Sequence, residues 1–185
     1  MLCLSFTPLL MLVLGASLGA AFPHNALRKS CSLSKYQFLV PHELKAVLKM
    51  KEQFNTMLPS DRGCNSRLFH RKWNTAELSV PDRVMLVEAE LNLTTAMPGL
   101  PANSRFAETH QRPLAFLTQA QEDMRRCVSM PAPSHQPSGK LRHWLQKLQM
   151  AKETEPAGCL EASAILHVFQ VLSDLRCAAL QEQCT

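Results

Sequence analysis

Residues 158–180, GCLEASAILHVFQVLSDLRCAAL, carry a continuous helical pattern that points to the fold class. Their apolar side chains return every three or four residues, which is the period of one face of an α-helix. Leu166 and Phe169 widen this apolar arc beyond what a plain surface helix needs. The sequence therefore predicts one helix over the stretch, with a buried stripe formed by Ile165, Val168, Leu172 and Leu175.

Other segments show the same period, and none shows the apolar–polar alternation typical of a strand. The chain has one Tyr, two Trp and eight Phe, so its core must be mainly aliphatic, which favours helices over a β-sandwich. Ser79 and Asp82 match the spacing of a capping box at the start of one helix. We predict an all-α bundle of four principal helices plus one or two short ones. The further predicted helices cover about residues 41–58, 79–96, 113–128 and 140–151, with loops at 59–73 and 129–139.

The N-terminal residues 1–21, MLCLSFTPLLMLVLGASLGAA, form an apolar run with no charged side chain. Gly19 and Ala21 fit the small-residue positions before a signal-peptidase cut, and Pro8 and Gly15 interrupt the run. The alternative is a retained N-terminal anchor. We predict a cleaved signal peptide at 1–21, a single helical domain at 22–185, and a secreted, extracellular protein.

Secretion changes how the seven cysteines are interpreted. Cys3 would leave with the signal peptide, and the remaining even number, in an oxidising compartment, predicts three disulfides whose pairing the spacing alone does not give. The chain has no C-x-x-C motif, so the spacing of a zinc ribbon or a thioredoxin-type site is missing. The six cysteines are Cys31, Cys64, Cys127, Cys159, Cys177 and Cys184.

Catalytic and cofactor motifs are missing from the sequence. His42-Glu43 begins an H-E-x-x-H zinc motif, but Ala46 stands where the second histidine would be. The chain also lacks the G-x-S-x-G, P-loop and dinucleotide-binding patterns. We predict that the protein is not an enzyme and that it uses no metal or cofactor.

Basic residues cluster at 62–72 and 140–152, and the second cluster accompanies Leu141 and Trp144 at helical spacing. A membrane-surface or heparin-binding helix would show such a pattern. We favour an ordinary bundle helix that buries its apolar stripe and leaves its cations in water. The net charge of +5 is modest for a nucleic-acid binder, so we expect neither nucleic-acid binding nor membrane insertion.

One N-x-S/T sequon is present, at Asn92-Leu93-Thr94. On a helix it shares a face with Met85 and Glu88, away from Val84. Glycosylation of Asn92 would mark that face as solvent-exposed, whereas an unmodified chance occurrence of the tripeptide is the alternative.

Several motifs, in order, resemble the type III interferons (interferon lambda). CSLSKY at 31–36 leads into PHEL at 41–44, and EAEL at 88–91 and GKLRHWL at 139–145 follow. The most specific motif is AGCLEAS at 157–163. The resemblance implies an interleukin-10-class helical cytokine that acts as a monomer. It would bridge a private lambda receptor chain and the shared interleukin-10 receptor beta chain, which triggers kinase and STAT signalling and an antiviral state.

The resemblance also nominates receptor contacts on the first helix, the loop after it and the last helix: Lys49, Glu52, Trp73 and Phe169. Phe169 is the preferred candidate, because an aromatic side chain in a desolvated pocket is a common interface hot spot. A core position is the alternative for Phe169. Leu48 replaces a basic residue common in the family, and Val40 replaces the usual Ser that would cap the first helix.

Three disulfides are implied by the same resemblance: Cys31–Cys127, Cys64–Cys159 and Cys177–Cys184. The last pair can be checked against geometry, because an unbroken helix would separate its Cα atoms by about 10 Å. A disulfide needs less than about 7 Å. The last helix must therefore end before Cys184 for this bond to form.

Two rival functions stay open at the level of sequence. One is another interleukin-10-class cytokine that uses a different private receptor chain. The other is a host-defence protein whose basic helix at 140–152 disrupts membranes.

Overall fold

A computed structural model of the chain describes residues 31–57, 64, 66–96, 104–129 and 135–184. The predicted signal peptide at 1–21 lies outside them. The described residues contain no strand, and six α-helices confirm the all-α prediction. The helices are α1 Pro41–Met57, α2 Val80–Thr95, α3 Ser104–Val128, α4 Gly139–Thr154, α5 Ala157–Leu166 and α6 Val168–Leu180.

Helix α2 lies at the centre of the bundle, where it contacts α3, α4, α5 and α6. Its central position explains why buried residues occur around most of its circumference. The predicted stripe of Val84, Val87 and Leu91 is buried. At its start the Oγ of Ser79 accepts a hydrogen bond from the backbone N–H of Asp82 at 3.4 Å, which forms one half of the predicted capping box. The Asp82 carboxylate, which would form the other half, contacts Ser138 and His135.

Helix α1 begins at Pro41 without a side-chain cap, as expected from Val40. The Val40 carbonyl accepts from the backbone N–H groups of Glu43 and Leu44 at 2.9 and 3.2 Å. Val47, Met50 and Phe54 are buried and hold α1 against the bundle.

Helix α3 begins nine residues earlier than predicted. Pro113, which the sequence suggests as a first helical residue, is buried inside the helix instead. A proline removes one backbone donor and crowds the preceding turn, so an interior position costs stability. Packing of α3 against both α1 and α2 offsets that cost.

The prediction of a single helix at 158–180 is wrong in one respect, because the stretch forms two helices, α5 and α6. The two helix axes differ by 60° at His167, whose backbone leaves the helical region at φ −100° and ψ 8°. The Nδ1 atom of His167 lies 2.8 Å from the Ser163 carbonyl. The predicted stripe runs unbroken across the bend, since Ile165, Val168, Leu172 and Leu175 are all buried.

All three implied disulfides are present. The Cα–Cα distances are 4.9 Å for Cys31–Cys127, 5.2 Å for Cys64–Cys159 and 5.0 Å for Cys177–Cys184. Helix α6 ends at Leu180, and Gln181 follows with φ 52°, a left-handed conformation that turns the chain back. The geometric condition on the third bond is therefore met.

Helix α4 is an ordinary bundle helix, as favoured above. Its apolar stripe of Leu141, Trp144 and Leu148 is buried. Its cations face solvent: Lys140, Arg142, Lys147 and Lys152. Within the described ranges no single helix has the length and apolarity to cross a membrane. The bent pair of α5 with residues 168–183 meets those two criteria together.

Candidate receptor-binding surface

Phe169 lies at the start of α6 and is partly exposed. It packs against the buried core, and the Nζ of Lys51 lies 5.4 Å from the centroid of its ring. One side of the Phe169 side chain thus packs against the core, and the other side remains accessible, which agrees with its place at the edge of the wide apolar arc. Its contribution to receptor binding stays a prediction.

The Lys51–Phe169 contact joins α1 to α6 at the surface. Lys49 and Glu52, on either side of Lys51 in α1, are both exposed. Leu48, the departure from the family pattern, is 44% exposed. The two predicted α1 contacts thus lie on the helix that contacts Phe169, where Lys51 makes that contact.

Trp73 lies on the segment between α1 and α2 and is half-buried. The Cζ of Arg71 lies 4.8 Å from its ring centroid, within cation–π range. The placement of Trp73 relative to α6 is set through Arg71, which forms an ion pair with Asp174 of that helix.

Residues 69–75, called here the 69–75 segment, lie along α6. The ring of Phe69 stacks on His167 with centroids 5.0 Å apart and an interplanar angle of 11°. The Nε2 of Gln170 donates to the Phe69 carbonyl at 3.2 Å. The Oγ1 of Thr75 donates to Oδ1 of Asp174 at 2.5 Å. These contacts fix the segment to the stretch of α6 that contains Phe169.

A buried charged cluster anchors the middle of the segment. The guanidinium of Arg71 forms ion pairs with Glu90 of α2, at 2.9 Å, and with Asp174 of α6. Burial raises the pKa of Glu90 well above its ordinary value. The neighbouring Asp174 carboxylate raises that pKa further, and Arg71 only partly opposes the shift. Two carboxylates share one guanidinium, and the surroundings of Glu90 favour its protonated form.

Sequence reasoning missed Arg71, Glu90 and Asp174. A signal for two of them was available, since Glu90 follows Val87 by three residues and Asp174 follows Val171 by three. Each carboxylate therefore falls on the apolar face of its helix, where a charged residue needs a partner. Nothing in the aperiodic loop marks Arg71 as that partner.

The N-terminal segment before α1 is fixed to α3. The hydroxyl of Tyr36 donates to Oδ2 of Asp123 at 2.7 Å, and Lys35 forms an ion pair with the same atom at 2.7 Å. Burial, then the Asp123 contact, raises the pKa of Tyr36. Together with the Cys31–Cys127 disulfide, these contacts set where the chain enters α1.

Asn92 is half-buried between α2 and α3, and Oδ1 of Asn92 accepts a hydrogen bond from Nε2 of Gln121 at 3.3 Å. Thr94 of the sequon is fully buried. Asn92 thus faces α3, and a glycan on this side chain would displace the Gln121 contact. Glycosylation at this position stays a prediction.

Among the described residues, no group of three or more His, Cys, Asp or Glu side chains is placed to hold a metal ion. The candidate surface carries the partly exposed rings of Trp73 and Phe169 together with the exposed side chains of Lys49 and Glu52. Such a surface is typical of protein recognition.

Comparison with known proteins gives a consistent result. The family model for Interleukin-28A matches residues 28–181. The chain is 65% identical to interferon lambda-3 of Gallus gallus over 186 residues, which cover 100% of both chains. It is 34% identical to interferon lambda-2 of Mus musculus over 160 residues, 84% of this chain and 83% of the other. Identity to interferon lambda-1 of Homo sapiens is 31% over 177 residues, 92% of this chain and 88% of the other.

Proposed function

The chain belongs to the interferon lambda family of type III interferons, and we propose that it signals by bridging two receptor chains. The two are a private lambda receptor chain and the shared interleukin-10 receptor beta chain, both of class II. The ligand acts as a secreted monomer and performs no catalysis. Binding both chains raises their effective local concentration, so that their associated kinases phosphorylate STAT proteins.

The observation that supports this proposal most is the position of Phe169. The side chain is partly exposed on α6, and the Nζ of Lys51 on α1 lies 5.4 Å from the centroid of its ring. An aromatic ring that is supported from below by the core loses little conformational freedom on binding. We therefore assign the private lambda chain to the surface formed by α1, the 69–75 segment and α6.

The three disulfides support an extracellular site of action, because such bonds persist in oxidising compartments. The burial of the α4 stripe argues against the membrane-active rival. A helix that disrupts membranes must offer an apolar face to lipid. The large apolar side chains of α4 are instead buried or, for Leu145, partly buried, and Met150 is exposed at 64%.

The test is STAT phosphorylation in two matched epithelial lines, of which one lacks only the private lambda chain. We expect a response confined to the receptor-bearing line. Phe169→Ala should reduce it strongly, with a loss of about 2 kcal/mol or more in binding to the private chain. Met150→Ala, which truncates an exposed apolar side chain on α4, is the matched control and should respond like the unmodified protein.

Other outcomes separate the rivals. A response in both lines would show that another interleukin-10-class receptor is used. Silence in both lines, from folded protein and a species-matched receptor, would contradict the bridging mechanism and favour the membrane-active alternative. Dye release from anionic vesicles would then test that alternative.

A further inference from the structure

The side chain of Arg71 joins the 69–75 segment to α2, α4 and α6. Its side chain is 5% exposed. It pairs with Glu90 on α2 and with Asp174 on α6. The Cζ also lies 5.8 Å from the ring centroid of Trp144 on α4. The guanidinium is thus held by contacts to three helices.

Both tryptophans of the chain are in contact with this guanidinium. Trp73 lies 4.8 Å and Trp144 5.8 Å from the Cζ of Arg71. Trp144 is buried, whereas Trp73 is half-buried and is one of the predicted receptor contacts. The guanidinium thus contacts one buried aromatic ring and one that is partly accessible.

The contacts around Arg71 extend this constraint to Phe169. Gln170, the next residue in α6, donates to the Phe69 carbonyl, and Asp174 accepts from Thr75. The 69–75 segment is therefore held at both ends and in its middle to one stretch of α6. Trp73 and Phe169 belong to different elements but have a fixed relation through this stretch.

We propose that Arg71 is a positioning residue for receptor recognition. It does not contact the receptor itself. It holds Trp73 of the segment and Phe169 of α6 in the arrangement that the private lambda chain binds, so that the interface is formed before the encounter. This inference rests on the proposed function, since it assumes that the private chain binds this surface.

Arginine is required for this role for reasons of shape and charge. Its planar group can form ion pairs with two carboxylates and still present its faces to two aromatic rings. Lysine keeps the charge but has a single ammonium, which cannot reach both carboxylates and both rings together. Arg71→Lys should therefore retain the buried charge while releasing Trp73.

The experiment combines fluorescence with receptor binding. Arg71→Lys is made in a Trp144→Phe background, so that Trp73 is the sole tryptophan and its emission reports its own surroundings. Circular dichroism and thermal melting establish folding. Dissociation from the ectodomain of the private lambda chain is then measured on a biosensor, with the Trp144→Phe protein as reference.

We expect Arg71→Lys to shift the Trp73 emission to longer wavelength and to accelerate dissociation about tenfold, because loss of preorganisation acts mainly on the off-rate. The matched control is Arg126→Lys, an arginine of α3 that is half-exposed and paired with Glu122 and Asp123. It should leave both measurements unchanged.

Two outcomes would overturn the inference. One is a shifted Trp73 emission with an unchanged dissociation rate, because the placement of Trp73 would then be irrelevant to binding. The other is an unchanged emission, because Arg71 would then not hold Trp73. Failure of the unmodified protein to bind the private chain would instead refute the proposed receptor, and this inference with it.

If Arg71→Lys does not fold, Thr75→Val carries the same test with the charges intact. It keeps the shape of the side chain and removes only the hydrogen bond to Asp174. A smaller emission shift together with a smaller acceleration of dissociation would support the proposal. An emission shift without any acceleration would contradict it.

Discussion

Two carboxylates on α2, Asp82 and Glu90, lie eight residues apart and are almost equally buried, yet their pKa values are displaced in opposite directions. Asp82 is 1% exposed and Glu90 is fully buried. The pKa of Asp82 lies below its usual range, and that of Glu90 lies well above its own. Low solvent exposure alone therefore does not decide the pKa of a carboxylate in this bundle, because its depth below the surface and the groups around it also contribute.

Asp82 is surrounded by donors. Burial by itself would raise its pKa, but hydrogen bonds from Ser138 and His135 outweigh that effect. The backbone N–H of Ser138 donates to Oδ2 at 3.2 Å, and Nε2 of His135 lies 2.8 Å from Oδ1. Asp82 also occupies the first turn of α2, where the helix dipole favours a negative charge. The charged form of Asp82 thus fastens the start of α4 to the start of α2.

Glu90 has a different environment in the middle of the same helix. It is removed from water, it faces Asp174, and it shares the guanidinium of Arg71 with that carboxylate. One cation cannot neutralise two buried anions, so the protonated form of Glu90 is favoured. The comparison predicts that the two residues respond differently to substitution and to pH.

The largest effect is expected from removing the shared cation. Arg71→Met keeps much of the side-chain volume but leaves Glu90 and Asp174 without a positive partner. We expect the free energy of unfolding at about pH 7 to fall by about 3–5 kcal/mol in urea titrations. Arg126→Met, which removes a half-exposed arginine, should cost about 1 kcal/mol or less. Equal losses in the two variants would show that the buried cluster has no special role.

The second prediction concerns Asp82. Asp82→Asn keeps the shape but removes the charge that accepts from Ser138 and His135, so stability at about pH 7 should fall by about 2 kcal/mol. Because the folded pKa is depressed, this stabilisation is present above the unfolded value near 3.9 and is lost as the pH falls through the folded pKa. The gap between the two proteins should therefore close in acid. A gap that stays constant from neutral pH to acid would contradict the assignment.

Much of the fold follows from side-chain pattern, because helix periodicity and burial depend on local sequence. The stripes of α2 and of residues 165–175 were predictable for this reason, and the family resemblance supplied the disulfide pairs. The bend at His167 was not predictable, because the apolar period continues across it without interruption. The prediction that a helix starts at Pro113 was wrong, because the residues around a proline do not show whether it begins a helix or lies inside one.

Some residues of the candidate surface could likewise be predicted from the sequence and others could not. Phe169 could be nominated through the family resemblance, while the apolar arc that it extends was compatible with either a receptor contact or a core position. Arg71 could not, since it lies in an aperiodic loop and its burial depends on partners 19 and 103 residues away in sequence. Glu90 and Asp174 can be recognised from the sequence as unusual, because each places a charge on the apolar face of a helix. Arg71 cannot, because a loop has no periodicity against which a charged residue would stand out.

The smallest effect, and the sharpest test of the comparison, is expected from Glu90→Gln. If Glu90 already holds a proton, an amide can replace the carboxylic acid as a donor toward Asp174, and its oxygen can still face Arg71. The free energy of unfolding at about pH 7 should then be unchanged or higher, with a change below about 1 kcal/mol.

The pH dependence of Glu90→Gln should oppose that of Asp82→Asn. A carboxyl whose folded pKa is raised binds more protons in the folded state, so the unmodified protein loses stability as the pH rises from about 4.3 toward the folded pKa. Glutamine does not titrate, so the stability of the variant relative to the unmodified protein should increase over that pH range. Urea unfolding at about pH 5 and pH 7 measures the change, with Asp82→Asn as the matched substitution on the same helix. A loss for Glu90→Gln as large as that of Asp82→Asn would mean that Glu90 is charged and that its ion pair with Arg71 outweighs the burial.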